Sequence, residues 1–107
     1  MTSRRYEVLL PARFNNGHEV VETCMRCVPD TLMEVVERFG ALTFDPRPAH
    51  GVWTRMGMRY DDELFRLALD VPDTDDSRHW IATFKKELLK RFDQLEIYIV
   101  SYPVEVH

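Results

Sequence analysis

From Tyr60 to Val71 the chain alternates, with Phe65, Leu67, Leu69 and Val71 pointing one way and Leu64, Arg66, Ala68 and Asp70 the other, until Pro72 ends the run. A long strand with one wholly apolar side needs antiparallel neighbours and a layer packed over that side. The rest of the chain supplies both. Tyr6 to Phe14 alternates and stops at the turn signal Asn15-Asn16-Gly17. Ala41 to Asp45 is a short β-rich run stopped by Pro46 and Pro48, and Gly51 to Met56 alternates again before Gly57 turns the chain. Leu95 to Tyr102 is rich in β-branched and aromatic residues and predicts the last strand.

Two helices separate these strands. Val21, Cys24, Met25, Val28, Leu32, Val35, Val36 and Phe39 recur at helical spacing up to Gly40, the expected C-terminal cap. Pro29 leaves two options for the start. Either one helix is kinked there, or a fresh helix begins with Asp30 or Thr31 as cap and Glu34 closing a capping box. The second helix, about Ser77 to Phe92, follows a run of caps and acids at Asp73-Thr74-Asp75-Asp76 and gathers Lys85, Lys86, Lys90 and Arg91 toward its end. Its inward stripe is Ile81, Phe84, Leu88 and Phe92. The order β, α, two or three strands, α, β predicts an α+β, ferredoxin-like βαββαβ sandwich, with an antiparallel sheet, two helices on one face and an extra hairpin strand. Right-handed crossovers put the first and last strands side by side.

At 107 residues the whole chain is expected to be one domain, able to bury roughly two thirds of its unfolded surface without staples. Fourteen Lys+Arg against eighteen Asp+Glu give a net charge of −4, which argues against nonspecific binding to nucleic acid or an anionic membrane. No apolar run has the length of a signal-peptide core or a membrane span, and two cysteines three positions apart do not make a secreted disulfide framework. These features predict a cytoplasmic protein.

The second face of the sheet is where the sequence points to function. With Val8, Leu10, Phe65, Leu67, Leu69, Leu95, Ile97 and Ile99 toward the helices, the other side holds Leu9, Arg13, Leu64, Arg66, Ala68, Tyr98, Val100 and Tyr102. That set is too apolar for a solvated face. The reading preferred on sequence is a non-catalytic interaction or regulatory module that self-associates, as a homodimer or with a protein partner, through Trp53, Tyr60, Leu64, Arg66, Tyr98, Val100 and Tyr102. A small-molecule pocket or small enzyme on the same face, with Trp53, Tyr60, Tyr98, Tyr102 and His50 as lining, is the alternative. A third reading is an RNA platform of sheet aromatics with Arg13, Arg55 and Arg66 on phosphates, which the net charge disfavours.

The reactive residue types form no strong motif. Cys24-Met25-Arg26-Cys27 has the spacing of a metal or dithiol pair, but no second pair exists, and His18 and His50 would have to complete a site from separate segments. The simpler reading places both cysteines, half-buried, on the inner stripe of the first helix. No histidine lies in a zinc-protease pattern or beside a nucleophile elbow, and no glycine-rich phosphate loop is present. No catalytic residue, metal or cofactor is therefore expected.

Tyr6-Glu7-Val8-Leu9-Leu10-Pro11, Phe14-Asn15-Asn16-Gly17, Arg38-Phe39-Gly40-Ala41, Gly51-Val52-Trp53, Tyr60-Asp61-Asp62 and Asp70-Val71-Pro72-Asp73, with the tail from Phe84 through Arg91-Phe92-Asp93-Gln94-Leu95 to Tyr102-Pro103-Val104-Glu105-Val106, form one pattern over nearly the whole chain. That pattern resembles a family of short bacterial proteins with no assigned activity. The resemblance implies a stand-alone bacterial domain and transfers no catalytic residue.

Overall fold

The computed structural model describes residues 2–107. The elements run β1 (Ser3–Pro11), α1 (Val20–Thr23), α2 (Cys27–Phe39), β2 (Thr43–Arg55), β3 (Met58–Pro72), α3 (Asp75–Arg91) and β4 (Ile99–Val104). Among the described residues the four strands form one sheet in the order β2-β3-β1-β4, antiparallel throughout. This is the α+β ferredoxin-like arrangement, with β1 between β3 and β4.

The alternation of β1 and β3 sets the layers. Tyr6, Val8 and Leu10 from β1 join Phe65, Leu67, Leu69 and Val71 from β3 in one buried cluster, closed by Val28 and Val35 of α2 and by Ile81, Phe84 and Leu88 of α3. Phe92, just past α3, is fully buried as its spacing predicts. The helices meet over the core through Phe39 and Trp80, edge to face at 5.0 Å, and Trp80 stacks on Phe84 at 4.7 Å.

Several boundaries differ from the sequence expectation. A separate short helix, α1, precedes the first long one, and that helix, α2, starts at Cys27, so Pro29 sits in its first turn, where a missing N–H costs nothing. Asp30 and Thr31 are inside the helix and form no cap. Thr31 is buried, its hydroxyl donating to the Cys27 carbonyl at 2.7 Å and accepting from Arg91 Nη1 at 2.8 Å, while Glu34 pairs with the same guanidinium. Gly40 takes the left-handed conformation (φ 87°) and its N–H bonds to the Val36 carbonyl, as expected of the cap.

The two short strands expected at Ala41 to Asp45 and Gly51 to Met56 are one strand, β2. Its pairing shifts between Asp45 and Ala49, where Pro46-Arg47-Pro48 bulge opposite Phe65. Prolines fit here because β2 is an edge strand. Met56 and Gly57 both have positive φ (53° and 78°), the two-residue turn whose twist suits a hairpin. At the other end β4 begins at Ile99, four residues later than Leu95. Leu95 does not face the core; it is 95% exposed, because the segment leaving α3 only begins to join β1 at Tyr98, whose carbonyl accepts from Leu9 N–H. After Phe92, Ile97 is the one buried residue of this connection, at 2%.

No helix among the described residues is long and apolar enough to cross a membrane.

Candidate functional site

Both long helices spend their apolar stripes on one side of the sheet, and among the described residues the other side has no helical layer. The register places the outward residues in rows. Arg5, Glu7 and Leu9 of β1 lie between Asp70, Ala68 and Arg66 of β3 and Tyr102, Val100 and Tyr98. Leu9, Leu64, Ala68 and Val100 are half-buried by their neighbours, whereas Tyr98 is 62% exposed.

The face is less apolar than its sequence reading. Glu7 and Asp70 fall on it by the same alternation that brought out Leu9 and Leu64, and Arg5 joins them. Arg5 makes a two-armed contact with Asp70, Nε to Oδ1 at 2.7 Å and Nη2 to Oδ2 at 2.9 Å. Hydrogen bonding from Arg5 holds the Asp70 carboxyl below its ordinary range, and Asp70, with Tyr102 beside it, stabilises the charged Arg5. Arg66 donates to Glu7 at 3.0 Å. The face is thus an apolar surface crossed by two internally neutralised ion pairs.

Beyond Leu64 the β2–β3 hairpin continues as an arm exposed on both sides. On the side continuous with the outer face, Trp53 stacks on Tyr60 with centroids 4.4 Å apart, and the indole N–H donates to Asp62 Oδ2 at 2.6 Å. On the reverse, Asp61 accepts from Arg59 at 3.0 Å and contacts His50 Nε2 at 3.0 Å, and these two partners hold its carboxyl low. His50 therefore lies on the opposite side of the arm from Trp53 and Tyr60 and does not line a common pocket with them.

The seven residues expected to form the site, Trp53, Tyr60, Leu64, Arg66, Tyr98, Val100 and Tyr102, share one face by register. Sequence reading put Asp70 on this side of its strand but did not count it, or Arg5, Glu7 and Asp62, among the site residues, although strand parity carries the signal for all four. The cations proposed for RNA phosphates are partly committed: Arg66 to Glu7, and Arg13 to Glu63, Glu19 and the Gly17 carbonyl. Two open grooves of about 400 and 460 Å³ lie elsewhere, one between α2 and α3 beside Trp80, the other beside Arg13 and His18.

Cys24 and Cys27 are joined as a disulfide, which corrects the expectation of two unlinked cysteines on one helical stripe. The helical period across Val21 to Val28 spans two elements: Cys24 ends α1 and Cys27 begins α2, so the chain folds back between them. Among the described residues no three His, Cys, Asp or Glu side chains gather as metal ligands. His18 sits in the turn after β1, its backbone N–H bonded to Asn16 Oδ1, away from any such cluster.

No family model matches the chain, and no curated protein is similar to it in sequence. Solved structures share its fold. CutA1 from Oryza sativa superposes with a TM-score of 0.64 at 10% identity, over 100% of this chain and 84% of that one. A divalent cation tolerance protein (Cut A1) from Thermus thermophilus gives 0.66 at 10% identity, over 98% and 86%. A phage SAM lyase in complex with S-methyl-5'-thioadenosine gives 0.67 at 13% identity, over 97% and 90%.

Proposed function

We propose that this protein is a non-catalytic interaction module that associates with a second copy of itself through the outer face of the sheet. The observation that carries this reading is the uncovered surface of Leu9, Leu64, Ala68, Tyr98, Val100 and Tyr102, which runs along β3 into the Trp53–Tyr60 stack. Its charges support the same reading. Arg5–Asp70 and Glu7–Arg66 are matched within the chain, so covering them leaves no unpaired charge behind. The functional surface comprises strand residues, and regulation or partner choice follows from what the paired faces leave accessible.

Light scattering over a dilution series, with native mass spectrometry on the same sample, tests this reading. Association is expected in the wild type and is lost in Tyr98→Asp, while the circular dichroism of that variant stays native. Ile97→Asp, one residue earlier in the chain and buried, unfolds instead. A wild-type protein that is monomeric at every concentration, or a Tyr98→Asp variant that still associates, overturns the proposal.

A second reading, a small-molecule site on the same face, draws on the Trp53–Tyr60 stack rimmed by Asp62 and on the phage lyase, which has this fold and was solved with a nucleoside thioether bound. A co-purifying molecule whose binding is lost in Trp53→Ala favours it over the first.

A further inference from the structure

We propose that the Cys24–Cys27 pair is a reversible thiol–disulfide exchange site, entered through Cys24. The proposal is independent of the sheet-face reading, since it rests on the α1–α2 corner. The bond closes a ring around Met25 and Arg26 alone, and cross-links over the shortest loops restrict the unfolded chain least. A chain with the core described above needs no such staple. Its placement suits exchange better than bracing.

The two sulfurs are unequal. Cys24 is partly exposed, between the end of α1 and the solvent-facing Met25, whereas Cys27 is 5% exposed in the first turn of α2. An attacking thiolate therefore meets Cys24 first, and the departing group is the Cys27 sulfur. That sulfur departs at the start of a thirteen-residue helix, the end that favours a thiolate, with Arg26 next to it in sequence. The reduced state is also provided for. The Arg91 carbonyl lies 3.7 Å from Cys27 Sγ, within reach of its S–H once the bond has opened. Arg91 is itself held to Thr31 and Glu34, so α2 and α3 stay joined in either state.

With an external dithiol as reductant the step balances. One thiolate of the dithiol attacks Cys24 Sγ, the Cys24–Cys27 bond breaks, and Cys27 leaves with the electron pair and takes a proton from water. The second thiolate of the reductant then attacks its own mixed-disulfide sulfur and releases Cys24, which is protonated in turn. Two electrons and two protons pass to the protein, and the dithiol ends as its cyclic disulfide.

The test equilibrates the intact protein with graded ratios of reduced to cyclic oxidised dithiothreitol, traps thiols with iodoacetamide and counts adducts by mass spectrometry. Two thiols are expected to appear together without denaturant, with an unchanged circular dichroism spectrum. A bond that opens only in denaturant, or whose opening removes the helical signal, overturns the proposal. Single variants test the entry point: exposed to oxidised glutathione, Cys27→Ser forms its adduct on Cys24 about tenfold faster than Cys24→Ser does on Cys27. Equal rates, or the reverse order, overturn the assignment to Cys24.

Discussion

The base and the arm of the β2–β3 hairpin are built from the same two strands with the same alternation, yet only the base has an inside. At the base Phe65 and Leu67 lie beneath the helices, buried, with Phe44 packed at the edge of the same cluster. In the arm the positions that continue that side, Val52 and Asp61, are exposed, and so are Trp53, Met58 and Tyr60 on the other side. A strand ladder assigns side chains to faces; a second layer decides which face becomes an interior. The arm holds its shape through backbone pairing and through contacts such as Trp53 on Tyr60, whose stacking contributes about 0.5–1.5 kcal/mol beyond area.

The sharpest test of this contrast is a matched pair of truncations. Leu67→Ala is expected to lower stability by about 3 kcal/mol in chemical denaturation, because a fully buried site leaves a cavity. Trp53→Ala should cost no more than about 1 kcal/mol, the loss of a surface aromatic pair. Equal losses would mean that the arm has an interior after all.

A smaller effect comes from loosening the cover without touching either strand. The Thr74 hydroxyl accepts from Ser77 N–H at 3.2 Å and caps α3, so Thr74→Ala should cost about 1 kcal/mol. Hydrogen exchange is expected to show faster opening in α3 and at the base, with rates in the arm unchanged. Acceleration in the arm as well would show that the helices hold it.

The smallest effect separates base from arm by pH. Asp70 has its native pKa lowered by Arg5, so its contribution to stability is complete above the unfolded value of about 3.9 and fades as pH falls through the lower native value. The pair is partly exposed, which limits the contribution to less than about 1 kcal/mol. Asp70→Asn should therefore be slightly less stable than wild type at neutral pH, and the gap should close on acidification below about pH 4. A gap that persists at about pH 2 would point to packing and not charge. Asp61, more exposed in the arm and held low by Arg59 and His50, should show a gap of the same sign but smaller when changed to Asn.

Much of this architecture was legible in residue order. Phe65, Leu67, Leu69 and Val71 announced the buried side of β3, and Ile81, Phe84, Leu88 and Phe92 the buried side of α3, because periodicity reports burial wherever one face is covered. The shared face of Trp53, Tyr60, Leu64, Arg66, Tyr98, Val100 and Tyr102 followed from the same parity. What failed depended on contacts across the chain. Thr31 and Glu34 had the spacing of a capping box, but Arg91, far along the chain, claims both side chains. Leu95 had the character of a strand residue but lies before the point where β1 accepts a partner. The disulfide required knowing that the chain turns between Cys24 and Cys27, which a continuous helical period concealed.

The bulge at Pro46-Arg47-Pro48 bears on how large any assembly can grow. The two prolines have no N–H, and that of Arg47 is already given to Asp45 Oδ1 at 2.9 Å. Three consecutive positions on this outer strand thus offer no free N–H to an incoming strand, and a ladder advancing along it is interrupted midway. Copies that meet through their faces leave this edge free, and along β2 the chain's own covalent chemistry works against edge-on stacking into fibres.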